Sequence, residues 1–296
     1  MIRKTVSFLN EKNKVFRKRA NYSITTNGSL ITEEIIQFFN EHKFSVVLSF
    51  DGLAQDILRK KGSFKKTVSV VEEILNCPDI DLEVNSVFTP TTVDYLSESI
   101  KFIIDLGVPS TNFSLSIIKP WNQASLQKLE NEMIKLVKIL VSNFKRKGNI
   151  PVENFREESD TGIFYCPAGK DRMTITPDEE IWGCVLFPDY FKGKERSPEY
   201  QKFYFGALDD FIENHKNIYP RISSNYARLS VDNFSASGLG CFLCPELENC
   251  EACPINASFS GNPLGEMPSH LCKIQKIKIK EKEKFRIEIQ KIQVSS

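Results

Sequence analysis

Four cysteines within thirteen residues constrain this sequence more than any other feature. Their spacing is Cys-x2-Cys-x5-Cys-x2-Cys; two further cysteines after residue 165 precede the group, and one follows it. Thiols grouped in this way in a reducing compartment are typical of metal ligands rather than disulfides. The seven are Cys166, Cys184, Cys241, Cys244, Cys250, Cys253 and Cys272.

The number of thiols predicts two metal sites. Seven thiolates exceed the four of one tetrahedral site, so they suit two sites filled as four plus three. Zinc and iron–sulfur clusters both take soft thiolates, and the spacing alone does not choose between them. Cys77 stands apart and is expected to be a small filler residue. His270, two residues before Cys272, is a weaker candidate ligand.

The balance of charges and the absence of long apolar runs give no reason to expect a nucleic acid or a membrane as partner. The chain has 39 Lys and Arg against 38 Asp and Glu, so no global charge predicts binding to nucleic acid or to an anionic membrane. No apolar run approaches the roughly 20 residues that a membrane span needs. The first twenty residues do not resemble a secretory signal. We therefore expect a cytoplasmic protein.

The first half of the sequence alternates strand and helix patterns. Strands are predicted at residues 21–26, 45–50, 82–89 and 113–118, and helices at residues 32–42, 64–76, 93–106 and 125–145. Strand followed by helix, four times over, predicts an α/β domain with a parallel sheet covered by helices. This domain is assigned to residues 1–148.

The second half has a different character. Residues 149–162 are polar without periodicity and are interpreted as a linker. Short strands, loops and cysteines follow over residues 163–275, including a hairpin of Thr174–Thr176 and Ile181–Gly183 that leads to Cys184. The Lys- and Ile-rich tail, residues 276–296, could be a helix, a final strand or a frayed end.

The cysteine pattern resembles the SPASM domain of radical SAM enzymes that modify peptides and proteins. The matching segments are FYCPAG, ITPDEEIWGC, FGAL, CFLCPELENCEACP and the final Cys272. The resemblance implies a small α+β domain with two [4Fe–4S] clusters. It assigns Cys166, Cys184 and Cys253 to one cluster with an open iron, and Cys241, Cys244, Cys250 and Cys272 to the other.

Two residues depart from that family pattern. The last spacing in the group, CEAC, is one residue shorter than the usual x3. Glu179 occupies the position of the hairpin glycine. Each departure affects how one cluster would assemble.

The first half resembles part of the radical SAM (β/α) barrel of the same family. SITTNGSLIT, VVLSFDG, Arg59 and GSF occur in the family's order. The resemblance implies a partial barrel of about four βα units, with Thr26, Asn27, Ser49 and Arg59 facing S-adenosylmethionine. The plainer interpretation is that these are turn formers, a small strand residue and a surface charge.

The cluster that cleaves S-adenosylmethionine has no ligands in this sequence. The family supplies them from Cys-x3-Cys-x2-Cys after its first strand, and no such triplet occurs here. We expect the chain to begin in the helix before the third βα unit, and S-adenosylmethionine to act only if the missing portion is supplied. The sheet edge at Asn21–Thr26 would then be open to a completing chain. Whether the chain is itself an enzyme stays open, and its catalytic residues are unknown.

Three functions are consistent with these patterns. The first is a radical SAM/SPASM-like protein that modifies a peptide or protein substrate. The second is a non-catalytic, cluster-bearing docking subunit for a separate modifying enzyme such as an ATP-grasp ligase. The third is a structural zinc module. Val185 follows Cys184 where sulfatase-maturing relatives have an acid, so that particular activity is not supported.

Overall fold

The computed structural model divides the chain into two compact units. The sheet unit comprises Met1–Leu115, Asn131–Arg156 and Glu288–Ser296, and the cysteine unit comprises Ser116–Glu130 and Glu157–Ile287. The structure describes residues 2–17, 20–116, 118–156, 167–228, 235–236, 239–251, 253, 255, 264 and 266–295. Among these, no helix is both long and apolar enough to cross a membrane.

A parallel four-stranded sheet forms the centre of the sheet unit, which confirms the predicted α/β class. Its strands, in spatial order, are β1 (Ser23–Thr26), β2 (Ser45–Ser49), β3 (Asp81–Phe88) and β4 (Ser110–Leu115). Alternate residues of β2 and β3 are buried, as a period of two residues requires. One face of the sheet therefore enters the core, while the other is half-exposed.

Helices follow the strands as the sequence pattern predicts. They are α1 (Ile2–Phe16), α2 (Glu33–Glu41), α3 (Gln55–Leu58), α4 (Ser63–Leu75), α5 (Leu96–Asp105) and α6 (Gln123–Lys147). The N-cap of α2 is Thr32, whose hydroxyl accepts a hydrogen bond from the Ile35 amide, so the predicted start of this helix is confirmed. Val71 and Ile74 of α4 and Ile100 and Ile103 of α5 are at most 1% exposed and form the core with the buried strand residues.

Two sequence boundaries in this unit differ from the structure. β4 begins at Ser110 rather than at residue 113, because three polar residues extend the ladder with β3. The start of the predicted linker belongs to the sheet unit: the Thr111 amide donates to the Pro151 carbonyl at 2.8 Å. The Asn154 side chain exchanges two hydrogen bonds with the Phe113 backbone, at 2.9 and 3.0 Å. Residues 157–162 lie outside the described residues.

Over the described residues 167–228, the cysteine unit contains short strands and three helices. The strands β5 (Thr174–Ile175), β6 (Glu180–Trp182) and β7 (Tyr204–Ala207) form an antiparallel sheet. The hairpin before Cys184 is thus confirmed. The helices are α7 (Leu186–Phe191), α8 (Pro198–Phe203) and α9 (Leu208–Ala227). The sequence interpretation of this region as strands and loops missed all three.

The remaining elements surround the last cysteines. Three short strands, β8 (Ser235–Ala236), β9 (Leu239–Gly240) and β10 (Glu266–Met267), form a second small sheet. The helix α10 (Ser269–Ser295) follows. Of the three conformations considered for the tail, the structure has the helix. This helix begins before Cys272. The predicted boundary between the cysteine region and the tail, at residue 276, therefore falls inside one continuous helix.

An aromatic core holds the cysteine unit together. Trp182, Phe187, Phe191, Phe205 and Tyr226 are each at most 1% exposed. Their rings contact one another, with Trp182 and Phe191 stacked at 5.6 Å between centroids. Buried aromatic side chains contribute large apolar areas, so this cluster stabilises a unit whose strands are only two to four residues long.

Candidate metal centre

Six of the seven predicted metal-binding cysteines lie among the described residues, and Cys166 does not. All six are thiols rather than disulfides, and all six are partly buried. A partly buried thiol can be reached by a metal ion and yet be sheltered from solvent. They are Cys184, Cys241, Cys244, Cys250, Cys253 and Cys272.

The hairpin of β5 and β6 positions Cys184. Its turn closes with a hydrogen bond of 2.9 Å from the Thr176 amide to the Glu180 carbonyl. Glu179 has a φ of 61°, in the left-handed region that glycine adopts at little cost. The turn thus forms with glutamate at the family's glycine position, and the strain is local.

A backbone hydrogen bond joins the segment after Cys166 to the segment before Cys184. The Gly169 amide donates to the Gly183 carbonyl at 3.2 Å and to the Arg172 carbonyl at 3.0 Å. Gly169 is three residues after Cys166, and Gly183 immediately precedes Cys184. The fold therefore holds the backbone at Gly169 beside the backbone that leads into Cys184.

Cys184 and Cys253 pack against the same aromatic core. Ile255, two residues after Cys253, is 1% exposed and belongs to that core. Two cysteines that are 69 positions apart in the sequence thus pack on one cluster of side chains.

The remaining four cysteines occur on turns and at a helix start. Cys241 begins a short 3-10 turn, and its carbonyl accepts from the Cys244 amide at 3.0 Å. Cys250 follows a second such turn, Leu247–Asn249. Cys272 lies in the first turn of α10, where its amide donates to the Pro268 carbonyl at 3.4 Å.

An ion-pair group connects α10 to the cysteine group. Glu251, next to Cys250, pairs with Lys278 and, at 3.3 Å, with Lys282. The two lysines are four residues apart, so they lie on one face of the helix. The helix that contains Cys272 is therefore attached by side chains to the segment between Cys250 and Cys253.

Orphaned polar atoms beside Cys272 test whether this donor set fits a metal group. Nε2 of His270 and Oε1 of Gln275 are buried and have no hydrogen-bond partner among the described residues. Burial lowers the pKa of His270, so its imidazole is neutral at pH 7.

Whether these residues suit a metal depends on the chemistry of their donor atoms. Within the described part of the chain, no three His, Cys, Asp or Glu side chains lie close enough together to hold a single metal ion. The thiols are nevertheless soft donors, the type that zinc and iron–sulfur clusters take. By donor type, and not by their proximity, these residues are suited to thiolate-bound metal.

The residues proposed to face S-adenosylmethionine lie at the carboxyl end of the sheet. Thr26 ends β1 and Ser49 ends β2. The Asn27 side chain accepts from the Ser29 amide at 2.9 Å, and the Thr26 hydroxyl accepts from the Gly28 amide at 3.2 Å. Both therefore stabilise the turn after β1, as the plainer interpretation of Asn27 expects.

Arg59 is paired within the protein. Its Nε lies 2.5 Å from Oδ2 of Asp51, whose side chain is only 1% exposed. Oδ1 of Asp51 also accepts from the Val87 amide at 2.8 Å. The interpretation of Arg59 as a surface charge is wrong, because Arg59 is half-buried and pairs with the buried Asp51 carboxylate.

Sequence reasoning missed one polar row on the half-exposed face of the sheet. The ladder aligns Ser49 with Asn85, and Asn85 with Asn112. Oδ1 of Asn85 is buried without a hydrogen-bond partner among the described residues. The alternation of residues along the third strand could have indicated this row, because residues 83, 85 and 87 share the half-exposed face. Burial, together with the nearby charge of Glu153, raises the pKa of Glu83 on that face.

Three curated proteins are similar to this chain in sequence, while no protein-family profile matches it. An uncharacterised protein of Methanocaldococcus jannaschii is 32% identical over 62% of this chain and 63% of its own length. The radical SAM cyclopropyl synthase TigE of Paramaledivibacter caminithermalis is 25% identical over 59% and 39%. The cysteine-type anaerobic sulfatase-maturating enzyme of Clostridium novyi is 36% identical over 27% and 23%.

The chain thus spans less than two thirds of the length of the curated relatives that it matches. Among solved structures, anSMEcpe with bound AdoMet and a peptide has a TM-score of 0.72 at 16% identity, covering 98% of this chain and 80% of that one. This likeness supports the fold.

Proposed function

The chain is related to the radical SAM/SPASM peptide and protein maturases, and we propose that it is an iron–sulfur protein of peptide or protein modification. In this proposal the cysteine unit holds two [4Fe–4S] clusters. Cys166, Cys184 and Cys253 bind one of them. Cys241, Cys244, Cys250 and Cys272 bind the other.

The contact between the Gly169 and Gly183 segments is the observation that supports this proposal most. It joins the backbone next to Cys184 to the backbone three residues after Cys166. The common aromatic core adds Cys253 to the same neighbourhood. Three thiolates are what a [4Fe–4S] cluster with one open iron requires.

The protein's own residues would perform three tasks at these sites. The thiolates hold iron, and the aromatic core beside Cys184 and Cys253 excludes water from one side. The Glu251 ion pairs keep the Cys250 segment next to α10. A bound cluster supplies one-electron transfer and, at an open iron, a place for a substrate group to bind.

We place S-adenosylmethionine, when it binds, at the carboxyl end of the sheet near Thr26, Asn27 and Ser49. Parallel strands present their binding residues at this edge. Arg59 contributes there by holding Asp51 and thus the loop after β2. Cleavage of S-adenosylmethionine would require a Cys-x3-Cys-x2-Cys site from outside these 296 residues, in a preceding segment or a partner chain.

The proposed substrate is a peptide or a protein segment. Two relatives support it: the solved neighbour has a peptide bound, and the Clostridium novyi relative is named for sulfatase maturation. A separate modifying enzyme as partner, and a cytoplasmic location that keeps the thiols reduced, belong to the same proposal.

Metal analysis after anaerobic purification tests the proposal. Iron, acid-labile sulfide and zinc are measured per chain, and about eight irons with equal sulfide are expected for two [4Fe–4S] clusters. About four irons would mean that only one cluster assembles. Zinc with negligible iron would contradict the proposal and favour a structural zinc module.

A further inference from the structure

Tyr226 lies at the point where the cysteine-bearing segments meet. It is near the end of α9 and is 1% exposed. Its ring stacks on Phe205 at 5.7 Å between centroids and meets Phe187 edge-on at 5.1 Å. The side chain is therefore fixed inside the aromatic core that also contacts Cys184 and Cys253.

The ring of Tyr226 packs directly against two glycines. A Cβ on Gly169 would lie 2.3 Å from Cδ2 of Tyr226, and a Cβ on Gly183 would lie 2.5 Å from its Cζ. Neither distance is compatible with a side chain. Gly169 and Gly183 pair through a backbone hydrogen bond next to Cys184, so both must lack a side chain for the ring to fit against them.

The hydroxyl of Tyr226 fixes the same segment by hydrogen bonding. Oη accepts a hydrogen bond from the Gly183 amide at 2.9 Å and donates one to the Phe203 carbonyl at 2.7 Å. One side chain thus satisfies the amide next to Cys184, while its ring sets how closely the Gly169 segment approaches.

We propose that Tyr226 is a positioning residue for the first cluster site, because its hydroxyl and its ring fix the backbone of Gly183, immediately before Cys184. This inference rests on the proposed function. Tyr226 would act through Gly183, whose amide it binds, and through Gly169, on which its ring packs. The second set of cysteines does not depend on it.

The test compares Tyr226→Phe with Cys184→Ser in the full chain, purified anaerobically. Phenylalanine keeps the ring and removes only the hydroxyl. We expect each variant to retain about half of the wild-type iron and sulfide and to lose the same EPR signal after reduction. The double variant should match Cys184→Ser alone, since both changes remove one site. Tyr22→Phe, which removes a 2.8 Å hydroxyl hydrogen bond in the sheet unit, is the control and should keep all its iron.

Two results would overturn the inference. One is Tyr226→Phe with full wild-type iron and an unchanged EPR spectrum. The other is loss of both EPR signals from a chain that is folded by circular dichroism, which would indicate a general structural role. If Tyr226→Phe does not fold, Gly183→Ala tests the same contact from the opposite side, and full iron in that variant would also overturn the inference.

The wild-type protein separates this inference from the proposed function. If wild type contains zinc in place of iron, the iron–sulfur function fails. The positioning role is then decided by whether Tyr226→Phe loses part of that zinc.

Discussion

The two units of this protein are stabilised in different ways. In the sheet unit, four strands of four to eight residues form a continuous parallel ladder, and aliphatic side chains fill the buried face. In the cysteine unit, strands of two to four residues are combined with an aromatic core and with thiols on turns. Regular strand pairing and aliphatic burial stabilise the first unit. We infer that the second depends on its aromatic contacts and on bound metal.

This contrast can be measured because both tryptophans lie in the cysteine unit. Tryptophan fluorescence during urea unfolding therefore follows that unit, while far-ultraviolet circular dichroism follows both. A change confined to one unit should shift one signal more than the other.

The largest effect is expected from Gly169→Ala in the cysteine unit. The new Cβ would collide with Tyr226, and Gly169 has a φ of 65° that disfavours any side chain. Overpacking against Tyr226 and the strain of a side chain at this positive φ together should lower the free energy of unfolding by about 4 kcal/mol. The fluorescence transition should move to lower urea.

Gly193→Ala is the matched control for this prediction. Gly193 has a φ of 78°, but nothing lies within 4 Å of a Cβ built there. Gly193→Ala should lower the free energy of unfolding by only about 1 kcal/mol. Equal costs at both glycines would show that contact with Tyr226 does not matter.

The next largest effect is expected from Arg59→Met in the sheet unit. It leaves the Asp51 carboxylate, 1% exposed, without its cation. Removing one partner of a buried ion pair costs about 3 kcal/mol at the lower end of the usual range, which suits the partial exposure of Arg59. The circular dichroism transition should shift while tryptophan fluorescence changes little.

Arg3→Met is the control for this ion pair. Arg3 pairs with Glu34 at 2.7 Å, but both side chains are more than half exposed. Such surface pairs contribute about 0–1 kcal/mol. A cost for Arg59→Met no larger than that of Arg3→Met would contradict the structural role of the buried pair.

Alkaline pH should weaken the aromatic core through Tyr200. Burial, and then the charge of Glu180, raises the pKa of Tyr200 to about 12. The unfolded tyrosine ionises near pH 10. The stabilisation from this group is thus complete below pH 10 and is lost as pH rises from 10 to about 12.

Replacing Tyr200 by Phe should flatten the fall in stability over that range. Urea unfolding followed by tryptophan fluorescence at pH 9, 10 and 11 would measure it, with the exposed Tyr95→Phe as control. Identical pH slopes for wild type and Tyr200→Phe would contradict the assignment.

The smallest effect is expected from Glu179→Gly at the hairpin before Cys184. Glu179 has a φ of 61°, so glycine should relieve strain and raise stability by about 1 kcal/mol. Asp178→Gly in the same turn gives no such relief and should be neutral or destabilising. A loss of stability in Glu179→Gly would mean that the glutamate side chain contributes a contact of its own.

The sequence predicted the sheet unit better than the cysteine unit, for physical reasons. Apolar alternation and the Thr32 cap are local signals, and both were confirmed. Helix α9 was missed because Pro220 lies inside it and few of its residues are buried. The pairing of Asp51 with Arg59 was missed because burial of a carboxylate depends on tertiary contacts that composition does not reveal.

The candidate site was also predictable only in part. The cysteines were recognisable by spacing, while the residues that arrange them were not. Nothing in the local sequence indicates that Tyr226, 42 positions after Cys184, lies against the glycines beside two cysteines. Such contacts are set by the packing of the whole aromatic core.

The central claim is that the seven cysteines form two independent cluster sites, and single cysteine variants test it most directly. Iron content and low-temperature EPR after reduction would be compared for Cys184→Ser, Cys253→Ser and Cys244→Ser. We expect the first two to lose the same signal and about half of the iron, and Cys244→Ser to lose the other signal. Loss of one common signal in Cys184→Ser and Cys244→Ser, with Cys253→Ser unaffected, would contradict the account.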